Sequence, residues 1–264
     1  MRLLRASAIG FVTVLVACGG GGNKPDGGVV IPDSPPDVPP PDMPPDSPAF
    51  DFSCETGSSP TTAPDPLALS GTANDIDVGT MMPKAVEGAA ITAFKSAGDT
   101  KVGETTSDAQ GAWALSLATG GNALDGYVEG VKAGQRTVRL YPPNPLSADF
   151  TNAPLLMLAD STFDLLLSFV LQDTQDAAKG TIALAIVDCQ NQPISGATVT
   201  VTQGGTEVGR QHEVTQLSPG AFFVLDVPPG DALVGATVMG HTLHAHTVTS
   251  VATTTTTTVV TPLP

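Results

Sequence analysis

Histidine and cysteine are the side chains of this sequence best suited to metal binding or redox chemistry. Three of the four histidines cluster near the C-terminus, as His241, His244 and His246. Residues two apart in a strand point to the same side, so His244 and His246 could supply two ligands to a metal ion. No cysteine or carboxylate lies within two residues of either. We therefore expect polar surface residues on a late strand and no cofactor, with a metal site as the alternative.

Carboxylates give little further indication of catalysis. Asp75 and Asp77 lie two residues apart and could share a calcium ion, although a loop at the end of a strand explains them equally well. The sequence contains no G-x-S-x-G, H-E-x-x-H, P-loop or G-x-G-x-x-G motif. It therefore predicts a protein that is not an enzyme.

The first of the three cysteines, Cys18, ends a short apolar segment. Arg2 and Arg5 precede twelve mostly apolar residues at 6–17, too few to cross a bilayer of about 30 Å. The end of this segment, Leu-Val-Ala-Cys followed by four glycines, resembles the lipobox of bacterial lipoproteins. The resemblance implies cleavage before Cys18 and a membrane anchor of fatty acyl chains such as palmitate at Cys18. The alternatives are an ordinary signal peptide with a chance cysteine, or a weak anchor helix.

The residue after the cysteine bears on location. Gly19 stands where an aspartate would resemble a signal for retention in the inner membrane. We therefore expect a protein of the cell envelope, attached to the outer membrane and facing the periplasm or the cell surface. If Cys18 carries lipid, Cys54 and Cys189 remain as a pair in an oxidising compartment, where we expect a disulfide. The alternative is two free thiols.

Composition excludes several classes of protein. The chain has 264 residues with 28 glycines and 24 prolines, and its formal net charge is −15. Eleven lysines and arginines do not make the basic surface that a nucleic-acid partner requires. The glycine and proline content disfavours a helical bundle, and the sequence lacks the repeated long apolar segments of a multi-span membrane protein.

A proline-rich segment follows the apolar one. Residues 25–48 contain ten prolines and five aspartates. Proline lacks an N–H group and fixes φ, so neither a helix nor a strand ladder is expected. The sequence predicts a disordered, extended tether of polyproline II character, with a ligand for a polyproline-binding domain as the alternative.

The remaining chain contains an internal repeat with an offset of 108 or 109 residues. Short runs of valine, threonine and alanine lie between turn residues, which is typical of all-β sandwiches. Self-similarity at one offset indicates two copies of one domain. The recurring segments are 71–72 with 180–181, 88–93 with 196–201, 111–113 with 220–222, and 121–126 with 230–235.

Local patterns predict several elements. Asp108 and Gly111 should form a tight turn between two strands, with Trp113 and Leu115 on the inward face of the second. Six threonines at 253–258 predict a half-exposed strand, with O-glycosylation as the alternative. The apolar spacing over 161–172 predicts a helix that packs as a connector, with a capping box at its start. A membrane-surface helix is the alternative for this segment, although it lacks lysine and arginine.

Three motifs resemble those of carboxypeptidase regulatory-like domains. Residues 193–201 read Pro-Ile-Ser-Gly-Ala-Thr-Val-Thr-Val, 108–113 read Asp-Ala-Gln-Gly-Ala-Trp, and 227–230 read Val-Pro-Pro-Gly. The first copy lacks the proline of the first motif, and the second copy lacks the aspartate of the hairpin motif. The resemblance covers about two thirds of the chain and implies transthyretin-like sandwiches that are not catalytic and that mediate adhesion or stabilise other domains.

These observations predict an all-β protein of two tandem Ig-like or transthyretin-like β-sandwiches joined by a short helix, after a disordered N-terminal tether. The expected parts are a signal peptide at 1–17, the lipidated cysteine and tether at 18–64, sandwiches at 65–158 and 178–264, and the helix at 159–177. We expect a structural or adhesive envelope module with a protein partner. The alternative is a module that binds glycan or peptidoglycan.

Overall fold

Strands form most of the first repeat. The computed structural model describes residues 50–77, 79–80, 82–215 and 217–263. The strands of this repeat are β1 (Leu67–Asp77), β2 (Met82–Ala85), β3 (Ala90–Lys95), β4 (Thr100–Thr106), β5 (Ala112–Leu117), β6 (Gly126–Val131), β7 (Val138–Leu140) and β8 (Phe150–Leu156). Trp113, Leu115 and Leu117 of β5 are buried and the residues between them are exposed. The predicted inward face of β5 is therefore confirmed.

A helix connects the two repeats, as predicted, but its details differ. The α-helix α1 (Asp160–Leu165) continues into a π-helical segment (Leu166–Leu171). The predicted capping box is wrong, because the helix begins at Asp160 after Ala159 and no side chain caps it. Gln172 ends the helix in the left-handed conformation, with its N–H group bonded to Leu167 O.

The second repeat is again built from strands. These are β9 (Gly180–Ile186), β10 (Thr198–Gln203), β11 (Thr206–Glu207), β12 (Arg210–Glu213), β13 (Ala221–Val227), β14 (Gly230–Val238), β15 (His241–Thr242), β16 (His246–Ser250) and β17 (Thr255–Val260). Each repeat forms a sandwich around a buried cluster of apolar side chains, and Tyr127 and Tyr141 of the first repeat belong to the cluster of the second. The predicted all-β class is confirmed, and the domain boundaries stay predictions.

Strand pairing reproduces the internal repeat. In the first copy, β1 pairs antiparallel with β5 and parallel with β8. In the second copy, β9 pairs antiparallel with β13 and parallel with β17. Strands β3 and β6 pair in the first copy as β10 and β14 do in the second. The sequence offset therefore corresponds to a structural repeat.

The two copies differ at the strand that precedes the glycine turn. Strand β4 pairs with β3, whereas its counterpart β12 pairs with β13. The predicted strand, turn and strand around Asp108 are present, but β4 and β5 belong to different sheets. The hairpin implied by the family motif is therefore wrong for the first copy, because β4 finds its partner in the opposite sheet.

One sheet of eight strands crosses both repeats, in the order β12-β13-β9-β17-β7-β6-β3-β4. The joint is β17, which pairs parallel with β9 of its own repeat and with β7 of the first. The expectation of a half-exposed threonine strand is wrong, since Thr255, Thr256 and Thr258 are buried in this joint.

The connecting helix packs on both repeats. Phe163, Leu167 and Leu171 join a buried cluster with Phe223 and Leu225 of β13, and the Arg136 guanidinium of the first repeat lies 3.8 Å from the centre of the Phe163 ring. Phe222 faces the sandwich core from the other side of β13. Both faces of β13 are therefore covered, and neither of its phenylalanines is exposed for ligand binding.

Candidate functional site

The N-terminal part of the described chain forms a strap, residues 50–57, across the end of the second repeat. Cys54 and Cys189 form a disulfide across a sequence separation of 135 residues, which confirms the predicted pair. The Asp188 carboxylate accepts hydrogen bonds from the Asp51 N–H group at 3.0 Å and from the Gln190 N–H group at 2.8 Å. Asp188 therefore orders the loop that carries Cys189 and holds the strap beside it.

Aromatic stacking adds to this attachment. The Phe52 ring lies flat on the His241 ring, with centres 3.9 Å apart, and His241 Nδ1 is 2.9 Å from Glu55 Oε2. Phe50 and Phe52 also pack against the core of the second repeat. His241 is therefore a strap contact, and the sequence offered no signal for this role because its partners lie 186 and 189 residues away.

His246 takes part in a partly buried hydrogen-bond chain at the joint between the repeats. Thr258 Oγ1 donates to Tyr141 O at 3.0 Å and lies 2.6 Å from His246 Nε2. Because a hydroxyl has one hydrogen, the His246 ring donates through Nε2 and its Nδ1 carries a lone pair. Burial, together with the nearby His244, lowers the pKa of His246 to about 4. His246 is therefore neutral at physiological pH.

The pair His244 and His246 does not form a metal centre with other side chains of the described ranges. No three His, Cys, Asp or Glu side chains within them are arranged to hold a metal ion. His244 precedes β16, and its N–H group donates to Thr261 O at 2.9 Å. The structure thus brings the two histidines to one place without the further ligands that a metal site requires.

Both histidines line a cleft of about 290 Å³ between the repeats. The first repeat contributes Asp125 and Asn144, and the second contributes Asp231. Ser96 and Thr249 hydroxyls hydrogen-bond the two carboxylates, at 3.3 Å to Asp125 and 2.9 Å to Asp231. The lining therefore offers hydrogen-bonding groups from both repeats, and sequence reasoning missed it because they lie far apart along the chain.

The paired aspartates of the first repeat serve as backbone acceptors. Asp77 Oδ1 accepts from the Thr80 N–H group at 3.0 Å, the Thr80 hydroxyl at 3.1 Å and the Gly79 N–H group at 2.9 Å, and these bonds, those of Thr80 first, lower the pKa of Asp77. Asp75 is buried and its Oδ1 accepts from the Ala159 N–H group at 3.2 Å. The strand-end interpretation accounts for Asp77, which ends β1, but it is wrong for Asp75, which lies within β1.

An ionic cluster, which the sequence did not indicate, fixes the chain after the helix. Arg210 of β12 contacts the carboxylates of Asp173 and Asp226, and His212 Nε2 lies 2.9 Å from Asp173 Oδ2. The Arg210 hydrogen bonds, followed by the Thr174 N–H group, lower the pKa of Asp173 to about 2. The cluster therefore attaches the segment that leads into β9 to the edge strand β12.

The predicted lipidation site and most of the predicted tether fall outside the described residues. This applies to Cys18, to the signal peptide at 1–17 and to residues 25–48. Among the helices of the described ranges, none has the length and apolar character needed to cross a bilayer.

Comparison with known proteins gives weak structural similarities. No family model matches this chain, and no curated protein matches it. The TIE protein of Bacillus anthracis is similar at a TM-score of 0.26 and 12% identity, over 75% of this chain and 34% of that one. This chain thus spans about a third of the length of that protein.

Two pilins give comparable values. The shaft pilin SpaA of Lactobacillus rhamnosus GG has a TM-score of 0.25 and 10% identity, over 75% of this chain and 98% of its own. The minor pilin GBS52 of Streptococcus agalactiae has a TM-score of 0.25 and 13% identity, over 75% and 97%. Similarity at this level does not establish a common fold or function.

Proposed function

We propose that this protein is a membrane-anchored lipoprotein of the cell envelope that acts as a non-catalytic structural or adhesive module. In this proposal Cys18 carries the lipid, the proline-rich segment spaces the folded part from the outer membrane, and two carboxypeptidase regulatory-like sandwiches contact a protein partner. The carrying observation is the fused framework, in which one eight-stranded sheet crosses both repeats and a disulfide ties the strap to it. Such a framework suits a rigid spacer.

Several side chains of chemically reactive types make structural contacts in this framework. Cys54 and Cys189 are bonded to each other, and His241 stacks on Phe52. Asp75 and Asp77 accept backbone hydrogen bonds. These contacts support a non-catalytic role, because each of these side chains already has a partner within the fold.

The anchor is tested by metabolic labelling with a palmitate analogue and by fractionation of the membranes. We expect the wild-type chain to be labelled and to fractionate with the outer membrane, and Cys18→Ser to lose both properties. Cys54→Ser is the matched control, since it removes a cysteine that the proposal does not lipidate. Membrane retention of an unlabelled Cys18→Ser chain would contradict the anchor.

A glycan-binding role is the second candidate, and the cleft between the repeats favours it. The Asp125, Asp231 and Asn144 side chains line this cleft, and hydroxyl-rich ligands are recognised by such groups. If this candidate holds, purified peptidoglycan should retain the protein in a saturable manner, and Asp125→Ala with His244→Ala should reduce that retention. Equal retention of wild type and variant would remove the cleft as the binding site.

A further inference from the structure

The two repeats differ at the outer edge of one equivalent strand. In the second repeat, the edge of β13 that faces away from β9 is covered by β12. In the first repeat, β4 pairs with β3 instead and contacts β5 only through side chains such as Leu117, so the equivalent edge of β5 has no hydrogen-bonded strand among the described residues. The second repeat thus shows that a strand fits at a position that stays open in the first.

The hydrogen-bond phase identifies which groups of β5 face outward. Ala73 N–H donates to Gly111 O at 2.8 Å, and the antiparallel register continues as Gly71 with Trp113 and Leu69 with Leu115. Hydrogen-bonded pairs in an antiparallel ladder recur every second residue. The N–H and C=O groups of Trp113 and Leu115 therefore point to β1, and those of the residues between them point away from it.

Three residues of β5, namely Ala112, Ala114 and Ser116, have backbone N–H and C=O groups that point away from β1. Those of Ala112 are hydrogen-bonded within the Asp108 turn. Ala112 N–H donates to Asp108 Oδ1 at 2.8 Å, and Ala112 O accepts from Asp108 N–H at 2.9 Å. Within the described ranges, no hydrogen bond is recorded for the outward N–H and C=O groups of Ala114 and Ser116. These two residues therefore form an open, solvent-facing segment of ladder.

The repeat offset gives the counterparts of these residues. Ala114 and Ser116 correspond to Phe223 and Leu225, which lie opposite His212 and Arg210 of β12. Val214 N–H donates to Ala221 O at 2.8 Å, so Phe223 and Leu225 are in the hydrogen-bonded positions of that ladder. The outward groups that β12 satisfies on β13 are the same ones that β5 leaves open.

Two other edge strands of the described sheets carry features that discourage pairing, and β5 does not. Strand β4 carries the Lys101–Glu104 ion pair, and β8 contains Pro154 and a register shift against β1. Prolines, charges and bulges are the usual protection of edge strands. Strand β5 reads Ala-Trp-Ala-Leu-Ser-Leu, without charge, proline or register shift.

We propose that the outer edge of β5 binds an extended segment of a partner protein, which pairs antiparallel with Ala114 and Ser116 as β12 pairs with β13. This inference rests on the proposed function and extends it, because it specifies that the partner supplies an extended segment that pairs through its backbone. The tether of this chain does not suit the position, because ten prolines in residues 25–48 remove the required donors.

Charge selects among the remaining occupants. Each copy of the chain carries a formal charge of −15, so two copies repel each other and a neutral or basic segment is favoured. Strand β12, with Arg210 and His212 at the pairing positions, is an example of such a segment. The outward side chains of β5 are small, so backbone pairing and not side-chain fit provides the contact.

The test is amide hydrogen exchange of the Cys18→Ser chain, with a peptide of residues 208–215 as the probe. Without peptide, we expect the Ala114 and Ser116 amides to exchange much faster than those of Trp113 and Leu115. Peptide at millimolar concentration should slow the Ala114 and Ser116 amides about fivefold, as expected when the peptide concentration is about four times its dissociation constant. Ala114→Pro should abolish that effect at Ser116, and Ala114→Thr is the control that keeps the donor.

Three outcomes would overturn the proposal. These are slow exchange at both amides without peptide, no response to peptide at the Ala114 and Ser116 amides, and protection that grows with protein concentration alone, which would make a second copy the occupant. Proline at 114 removes only an outward N–H group, so the Ala114→Pro variant should fold, and circular dichroism checks its folding. Ser116→Pro is the second variant. Failure here leaves the Cys18 labelling result unchanged, so the two proposals fail separately.

Discussion

Folding strongly alters the ionisation of the His246 side chain. Its Nε2 donates to Thr258 within the joint of the repeats, and burial lowers its pKa to about 4 from an ordinary value of 6.5. The unfolded chain therefore takes up a proton as the pH falls below about 6.5, while the folded chain does not until about pH 4. The stability associated with a neutral His246 is present at neutral pH and is lost over that interval.

We predict that the wild type loses about 3 kcal/mol more stability than His246→Gln between pH 7 and pH 4, from about 1.4 kcal/mol for each pKa unit. The glutamine keeps a donor for Thr258 but does not titrate. Urea unfolding at a series of pH values measures the difference. Parallel pH profiles for the two proteins, or a His246 ring that titrates near pH 6.5 by NMR, would contradict the prediction.

The second repeat indicates which substitution Trp113 should tolerate. Its ring is buried in the first core, its Nε1 has no hydrogen-bond partner in the described part of the chain, and the second repeat has Phe222 in its place. A phenylalanine here keeps most of the buried apolar surface and removes the unpaired donor. The two effects oppose each other.

We predict that Trp113→Phe changes the free energy of unfolding by less than about 1 kcal/mol, whereas Trp113→Ala lowers it by about 3–5 kcal/mol. Circular dichroism should follow the unfolding, because Trp113 is the only tryptophan and its loss removes the fluorescence signal. A phenylalanine variant as unstable as the alanine variant would show that the indole contributes more than apolar volume.

At the scale of elements, the glycine turn before β5 is fixed by a close approach of the backbone. Gly111 has a φ of +76°, and a Cβ atom there would lie 2.4 Å from Ala73 O. Gly120 also has a positive φ, of +62°, but a Cβ atom there would meet no atom within 4 Å. An alanine at 120 would therefore suffer only conformational strain, whereas an alanine at 111 would suffer both strain and a steric clash.

We predict that Gly120→Ala lowers stability by about 1 kcal/mol, through left-handed strain alone, and that Gly111→Ala lowers it by more than about 2 kcal/mol. Thermal or urea unfolding of both variants gives the comparison. Equal losses of stability in the two variants would contradict this prediction, because they would mean that β1 and the turn can move apart without an energetic cost.

The elements also show where sequence reasoning succeeds and where it fails. The alternation in β5 and the Asp108 turn depend on neighbouring residues, so the sequence predicts both. The burial of Thr256 depends on β7, more than a hundred residues earlier in the chain. Strand β4 pairs with β3 and not with β5, and both are its neighbours in the chain, so the local pattern does not decide between them. The cleft and the strap partners of His241 were missed for the same reason. The disulfide is the exception, because two cysteines left one pairing to propose.

For the whole molecule, the disulfide is the largest single constraint on the unfolded state. It closes a loop of 135 residues that contains the entire first repeat. We predict that replacing both Cys54 and Cys189 with serine lowers the free energy of unfolding by about 2–5 kcal/mol. Urea unfolding without reductant measures it, with Cys18→Ser as the control of unchanged stability. An unchanged urea midpoint in the double variant would contradict this.

The position of the same bond determines how the molecule responds to being pulled. Tension that enters from the N-terminal side of the strap passes from Cys54 directly to Cys189, at the end of the strand that forms the middle of the second repeat. The first repeat and the connecting helix lie inside the covalent loop, so their backbone is not stretched directly. With the bond intact, stretching the chain between its ends should yield about 45 nm less extension than after reduction, at roughly 3.4 Å per residue. Force therefore reaches the first repeat only through its contacts with the second, at β17 and at the connecting helix.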